Sequence, residues 1–229
     1  MLSTSELERA LVAIGVEAPV RFDEVTGSTN ATALELAEAG AAEWTLVAAG
    51  HQTAGRGRLG RTWIDEPGAA LMCSFVLRPA LAPDGAGAIP LLAGASMAGA
   101  VDAVAGIEVR CKWPNDLLLA GAKVGGILTE SSVVDGRLRY AVVGVGLNIR
   151  PPAGVEAAAG LGSVDPAALL IAFLQRFHDG YGRLPDGVVD DWTAVSATLG
   201  SEVEVQRLHG PAVRGRAIAV DEHGGLVIR

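Results

Sequence analysis

Cysteine is scarce in this chain, with two in 229 residues, Cys73 and Cys111, and no CxxC spacing. Each lies in an apolar, strand-like run, which argues against a disulfide framework or a thiolate metal site and for buried free thiols. Histidine is nearly as rare: His51, His178, His209 and His223 are scattered without ligand spacing, which argues against zinc. The amino terminus, MLSTSELERA, carries acids and no apolar signal-peptide core, so secretion is not expected and the cytoplasm is the default compartment. No helix-turn-helix fits before Phe22, because that module needs two or three helices. Basic charge is short too: the net charge is −8 and the pI near 5.0, so a broad phosphate-binding surface is not expected. Internal repeats and low-complexity tracts are lacking. A single segment, residues 87–106, is apolar enough to raise a membrane question. It contains Pro90, Ser96 and Asp102 among mostly Ala and Gly, and reads as a buried helix.

What remains is a globular chain, half hydrophobic and 19% charged, long enough for one large domain with or without a small appendage. Its most unusual stretch is residues 51–63, HQTAGRGRLGRTW, with Arg56, Arg58 and Arg61, Gly55, Gly57 and Gly60, and no acid. Glycine lets backbone approach a ligand closely, and arginine offers forked donors to phosphate or carboxylate. Three readings stand at this point: a loop that closes over an anion, a solvated turn, or a nucleic-acid patch.

In chain order, Ser5 with Glu8 makes a capping box before Leu7, Leu11, Val12 and Ile14, which predicts a short amphipathic helix. Residues 21–25 read as a strand leading into Thr26-Gly27-Ser28-Thr29-Asn30. Thr29 or Asn30 is expected to cap the next helix, which stops at Gly40. Ser28, Thr29 and Asn30 read either as capping residues or as hydroxyl and amide groups aimed at a ligand. Residues 44–49 form a buried strand into the loop, and Gln52 sits at the loop's root, where one amide can donate and accept. Further strands are predicted at 70–77, 107–113, 117–119, 123–130 and 138–149, with a helix at about 90–104. Tight turns at Pro114-Asn115-Asp116, Gly121 and Val134-Asp135-Gly136 imply antiparallel pairing, hence an α+β architecture rather than βαβ repeats. Residues 151–164 read as a connecting loop, Asp165 as the N-cap of a helix through Phe177, and 188–199 as another helix. From Ser201 a small β-module begins. Arg229 follows directly on an apolar run, which raises the prospect of an incomplete module with an unpaired edge.

Five motifs occur in order: GSTN at 27–30, GRGRLGRTW at 55–63, KWPNDLLL at 112–119, KVGGIL at 123–128 and GVGLNI at 144–149. With them the chain resembles the biotin protein ligases, which join biotin to a lysine of a carrier protein. The resemblance covers about residues 22–149. It implies an α+β domain with a mixed, mainly antiparallel sheet and flanking helices over residues 1–200, a fold shared with lipoate ligases. It also implies a small SH3-like β-module over residues 201–229. There are two departures. The N-terminal winged-helix domain by which many members repress biotin genes is not seen, so a monofunctional form that binds no DNA is expected. The end module is shorter than usual, which withdraws support from any ATP contact the family draws from it.

A carboxylate is a poor acyl donor, so it is first activated by attack on the α-phosphate of ATP, releasing pyrophosphate. A lysine amine then opens the resulting acyl-adenylate. Both first reactants are anionic, so fixed cations must bring them together. Lys123, Arg56, Arg58 and Arg61 are suited to this, with Mg²⁺ neutralising the leaving pyrophosphate. The resemblance implies finer roles. Ser28, Thr29, Asn30 and Gln52 would hydrogen-bond the ureido ring of biotin, with Gly55 and Arg56 nearby. Lys123 would reach the biotin carboxylate and the α-phosphate, and Gly125 and Gly126 would let the strand backbone pass close to the ligand. Trp63 would stack on adenine, with Lys112, Asn115 and Asn148 on the nucleotide side and Arg58 clamping the intermediate. Asp116 stays open between orienting the incoming lysine, meeting a metal and holding its turn.

The expected partners are biotin, ATP and a biotin carboxyl carrier domain of a biotin-dependent carboxylase. Neither DNA nor membrane is expected, and the chain is expected to be a monomer or weak homodimer. A lipoate or octanoate ligase or transferase of the same fold is the alternative. That would need a long apolar slot, whereas Ser-Thr-Asn plus Gln52 favours biotin. A non-enzymatic nucleic-acid binder is the third reading, and the acidic pI weighs against it. Residues 50–62 are predicted to stay mobile until a ligand supplies the negative charge that the arginines lack.

Overall fold

The computed structural model describes residues 2–207 and 210–229, so His209 lies outside the described residues. Helix α1 (Thr4–Val12) buries Leu7, Ala10 and Leu11. Its N-cap is Ser3, not the expected Ser5–Glu8 box, and no side chain caps it. The first turn closes on the Ser3 carbonyl, which accepts from Glu6 and Leu7, while the Ser3 hydroxyl meets that of Ser5 at 3.1 Å.

Strand β1 (Val20–Asp23) precedes α2 (Thr29–Glu38), whose N-cap is Ser28, accepting from the Ala31 amide at 3.5 Å. Thr29 and Asn30, the expected caps, are instead buried in the first turn. Then come β2 (Leu46–Ala49), β3 (Ala70–Leu77) and α3 (Ala88–Ala105). Four strands follow: β4 (Val109–Lys112), β5 (Asp116–Leu119), β6 (Ala122–Val134) and β7 (Arg137–Asn148). These build a seven-stranded sheet ordered β1-β2-β3-β7-β6-β5-β4. The β1–β2 pair is parallel and every other pair antiparallel, so the sheet is mixed and mainly antiparallel, as expected.

Alternation along β3 and β7 assigns the two faces of this sheet. Leu71, Cys73, Phe75 and Leu77, with Ala141, Val143, Val145 and Leu147, face the main core. That core is closed by α1, α3, α4 (Pro166–Tyr181) and α5 (Val188–Ala194). Helix α3 is apolar on nearly every side because it is buried. With the turn before it, it is the one helix among the described residues long and apolar enough to cross a membrane, and its place is the core. Trp44 stacks on Phe75, ring centroids 5.8 Å apart, and is a core residue, as expected. On the opposite face α2 covers a smaller cluster of Ala33, Ala37, Val47, Val76, Tyr140 and Val142.

Asp165 caps α4 by accepting from the Ala167 amide at 3.0 Å. Helix α5 stops at Ala194, short of the predicted 199. The residues after it lie along β4 instead: the Cys111 amide donates to Val195 O, and Ala197 donates back to Cys111 O, both at 2.8 Å. An otherwise open sheet edge outweighs the helical pattern there.

A second sheet holds β8 (Glu202–Val205), β9 (Val213–Val220) and β10 (Leu226–Ile228) in the order β10-β9-β8. Arg229 exchanges backbone hydrogen bonds with Arg216 at 3.0 and 2.8 Å, so the residue that ends the apolar run is itself paired. The small sheet is seated on the large one through Trp113, whose Nε1 donates to Gly224 O at 3.0 Å.

Candidate active site

The site lies on the α2 face of the large sheet, beyond the end of the small apolar cluster. Lys112, Asp116, Gly126, Gly146 and Met72 are successive cross-strand partners across five strands, so they form one row on one face. Ser74, Gly144 and Leu128 make the next row. Three glycines where alternation would place side chains leave a hollow in the sheet, and closely packed neighbours use that space. A Cβ on Gly144 would collide with the Asn30 amide oxygen, and one on Gly146 would stand 2.8 Å from the Trp63 ring.

The Arg/Gly loop roofs this hollow as a hairpin. Trp63 N donates to Gly55 O at 3.0 Å, and Gly57 N to Arg61 O at 2.7 Å. The tip is a 3₁₀ turn, Arg58–Gly60, in which Leu59 holds φ 57°. At the root, His51 Nδ1 lies 2.8 Å from Asp65 Oδ2. The Asp65 carboxylate is fully buried and so ties the two ends of the loop together.

A hydrogen-bonded chain closes one end of the pocket. Gln52 Oε1 accepts from the Thr29 amide at 2.7 Å and from its hydroxyl at 3.2 Å. The Ser74 hydroxyl lies 2.9 Å from Thr29 Oγ1 and 3.0 Å from Asn30 Oδ1. Asn30 Nδ2 donates to Glu130 Oε2 at 2.7 Å, and Arg56 donates to Glu130 Oε1, also at 2.7 Å. The turn, the loop root and strands β3 and β6 thus meet in one network.

The cations lie along the rest of the pocket. Lys123 Nζ is 2.5 Å from Asp116 Oδ1, and both groups line the pocket with Arg56, Arg58 and Arg61. The expectation that the loop arginines lack internal negative charge is corrected for Arg56, which Glu130 neutralises across the fold. Arg58 and Arg61 make no ion pair among the described residues. Both ion pairs are partly exposed, so their worth to stability is about 0–1 kcal/mol and their consequence is where the charge is held. Among the described residues no cluster of three His, Cys, Asp or Glu side chains could hold a metal.

The predicted set is therefore largely gathered: Ser28, Thr29, Asn30, Gln52, Arg56, Arg58, Arg61, Trp63, Asn115, Asp116, Lys123 and Gly126 all line one pocket. Four placements differ. Asn148 is buried and donates to Ala159 O at 3.1 Å, which pins the connecting segment and not the pocket wall. Lys112 is exposed at the end of the glycine row, one strand beyond Asp116. Gly55 packs on Trp63, where a Cβ would stand 2.6 Å from the Trp63 carbonyl oxygen. Gly125 likewise serves strand contact: its Cβ would stand 2.6 Å from Gly146 O. Sequence reasoning missed Ser74, Glu130, Gly144 and Asp65. The signals were a hydroxyl inside the apolar run ALMCSFVL and an acid ending KVGGILTE at the same parity as Gly126 and Leu128.

A glycine-floored hollow with a polar end, a cationic wall and an arginine-rich roof is thus built on one face of an α+β ligase-like domain. The Biotin/lipoate A/B protein ligase family matches residues 22–148, and the chain belongs to that family. The Bifunctional ligase/repressor BirA of Bacillus spizizenii is 32% identical over 99% of this chain and 74% of its own length. The Biotin--[acetyl-CoA-carboxylase] ligase of Paracoccus denitrificans is 33% identical over 89% of this chain and 91% of its own. Among solved structures, the biotin protein ligase from Aquifex aeolicus in complex with biotin and ATP superposes with a TM-score of 0.74. It is 26% identical and matches over 92% of this chain and 91% of that one.

Proposed function

We infer that this chain is an ATP-dependent biotin–[biotin carboxyl-carrier protein] ligase. It activates biotin as biotinyl-5'-AMP with release of pyrophosphate, then passes biotin to a lysine of a carrier domain of acetyl-CoA carboxylase or a similar carboxylase. The observation that carries the reading is the juxtaposition in one pocket of the Thr29–Gln52 hydrogen-bond chain with the Lys123 and Arg56 cations. A ureido ring needs paired donors and acceptors, and a carboxylate attacking a phosphate needs fixed positive charge.

In this reading Ser28, Thr29, Asn30 and Gln52 meet the ureido ring, and Lys123 meets the biotin carboxylate and the α-phosphate. Trp63, Asn115, Arg58 and Arg61 face the nucleotide. Magnesium would arrive on the triphosphate and neutralise the leaving pyrophosphate, with Asp116 the one carboxylate side chain among the described residues that line the pocket. While Lys123 holds Asp116, that carboxylate can orient an incoming lysine only after the pair loosens. Residues 1–200 act as the ligase domain and residues 201–229 as its SH3-like appendage. The chain works in the cytoplasm, as a monomer or weak homodimer, without DNA or membrane.

The test is pyrophosphate release from ATP and Mg²⁺ with biotin or with lipoate, followed by labelling of a biotin carrier domain. Release and transfer with biotin are expected. Release with lipoate or octanoate and none with biotin would assign the other branch of the family.

A further inference from the structure

Glu130 has no part in the chemistry above, yet it joins two of its components. One carboxylate oxygen takes the Arg56 guanidinium and the other the Asn30 amide, each at 2.7 Å, across 74 and 100 residues of chain. Glu130 stands on β6 at the same parity as Gly126 and Leu128, so it rises from the pocket face of the sheet. Both contacts have directional consequences. A glutamate beside Arg56 sets where the half-exposed guanidinium rests, since no other ion pair among the described residues holds it. A carboxylate beside Asn30 accepts only, so it compels the amide nitrogen to point at Glu130 and the amide oxygen at Ser74. The second N–H of Asn30 and the remaining guanidinium donors of Arg56 are then aimed in fixed directions.

We propose that Glu130 is a positioning residue for biotin, acting through Arg56 and Asn30 to set the donors that meet the acid substrate. This rests on the biotin-ligase reading, and it deepens that reading by naming what fixes the donors. Glu130 itself is not among the residues that line the pocket. Its carboxylate makes the root of the Arg/Gly loop a preorganised part of the wall, and mobility is left to the loop tip. Among the described residues no hydrogen bond or ion pair joins Glu130 to Lys123, Trp63 or Asn115, so binding of the nucleotide is expected to be spared.

The test is Glu130→Gln in the full chain, assayed for pyrophosphate release with biotin and ATP varied separately. The amide keeps the size of the carboxylate but loses its charge, and it places a donor against Arg56 or Asn30. The expected result is a KM for biotin raised on the order of tenfold or more, the size of one charge-assisted contact. KM for ATP and the melting temperature should stay near those of the parent. Glu130→Asp should restore part of the loss, and in an Arg56→Ala background the Gln substitution should cost less than in the parent, because only its route through Asn30 is left. Unchanged KM for biotin would overturn the proposal, and so would a lowered one, which would show Glu130 competing with substrate for Arg56. Equal losses toward biotin and ATP, with a lowered melting temperature, would reduce Glu130 to a structural strut and also overturn it. If the parent chain itself releases no pyrophosphate with biotin, the functional reading fails and this proposal falls with it, an outcome distinct from a working parent whose Gln variant is unchanged.

Discussion

At the scale of single residues, the proposed roles separate Lys123, assigned to reacting charge, from Glu130, assigned to holding Arg56 in place. Lys123 is 43% exposed and paired to Asp116 outside the apolar core, so its removal leaves packing intact. Lys123→Ala is expected to slow adenylation roughly 10²–10³-fold, the usual cost of losing a preorganised group at developing charge. Pyrophosphate release and thermal melting measured together check it; near-normal adenylation would show that the arginines suffice. Gly144 is the converse case, where the missing side chain matters. A Cβ there meets the Asn30 amide oxygen directly, with Leu128 O only 3.3 Å away. Gly144→Ala should displace Asn30 and cost about 1–3 kcal/mol of stability as overpacking. The measurement is a urea midpoint together with KM for biotin, and an unaltered pair of values would mean that α2 can shift to admit the methyl group.

At the scale of elements, the Arg/Gly loop divides into a bound root and a free tip. Backbone bonds from Trp63 to Gly55 and from Gly57 to Arg61, with the Arg56–Glu130 pair and the His51–Asp65 latch, fasten the root. The tip, Arg58–Gly60, has no buried side chain and, among the described residues, no ion pair. Ordering by ligand is therefore expected at the tip and not along the whole of residues 50–62. Trypsin should cut after Arg58 or Arg61 in the free protein, spare Arg56, and be blocked when biotin and ATP are added. Arg58→Gly removes the tip's cation, so biotinyl-AMP should escape faster and label bystander lysines while adenylation persists. Equal cleavage with and without ligand, together with unchanged release from the variant, would leave the loop a static wall.

For the whole molecule, pH reports on the core. Burial pushes the thiols of Cys73 and Cys111 from an ordinary 9.0 up to about 12. Between those values the folded state keeps protons that the unfolded chain has lost. Each thiol therefore contributes stability that is present in full below pH 9 and declines as pH rises toward 12. Burial, reinforced by the Glu43 hydrogen bond, moves Tyr181 in the same upward direction, which steepens the decline at the alkaline end. Urea unfolding at pH 8 and at pH 10.5 should show lower stability at the higher pH. The Cys73→Ala variant should show a smaller drop than the parent, whatever its absolute stability. A drop of the same size would place the alkaline sensitivity elsewhere.

Much of this protein is local enough to read from its sequence. Residues 70–77 are a run of apolar, strand-forming side chains, and the helix after Asp165 has its cap and its apolar face within a few residues of each other. The site motifs were legible for the same reason: GSTN, GRGR and KVGG each hold their chemistry within a few neighbouring positions. What only the tertiary structure decided involves partners far apart in the chain. Residues 195–197 left a helical pattern because the edge of β4 offered hydrogen bonds. Gly125, by its strand parity, turned toward β7 and not toward the ligand pocket, and Asn148 went to its neighbour loop. The charge state of the loop was the largest such decision. Its arginines have no acid among them in sequence, but the sheet brings Glu130 from 74 residues away to Arg56. Sequence spacing carries periodicity and caps, which depend on a few adjacent dihedrals. Which acid faces which base depends on sheet register, and that is settled only when the strands pair.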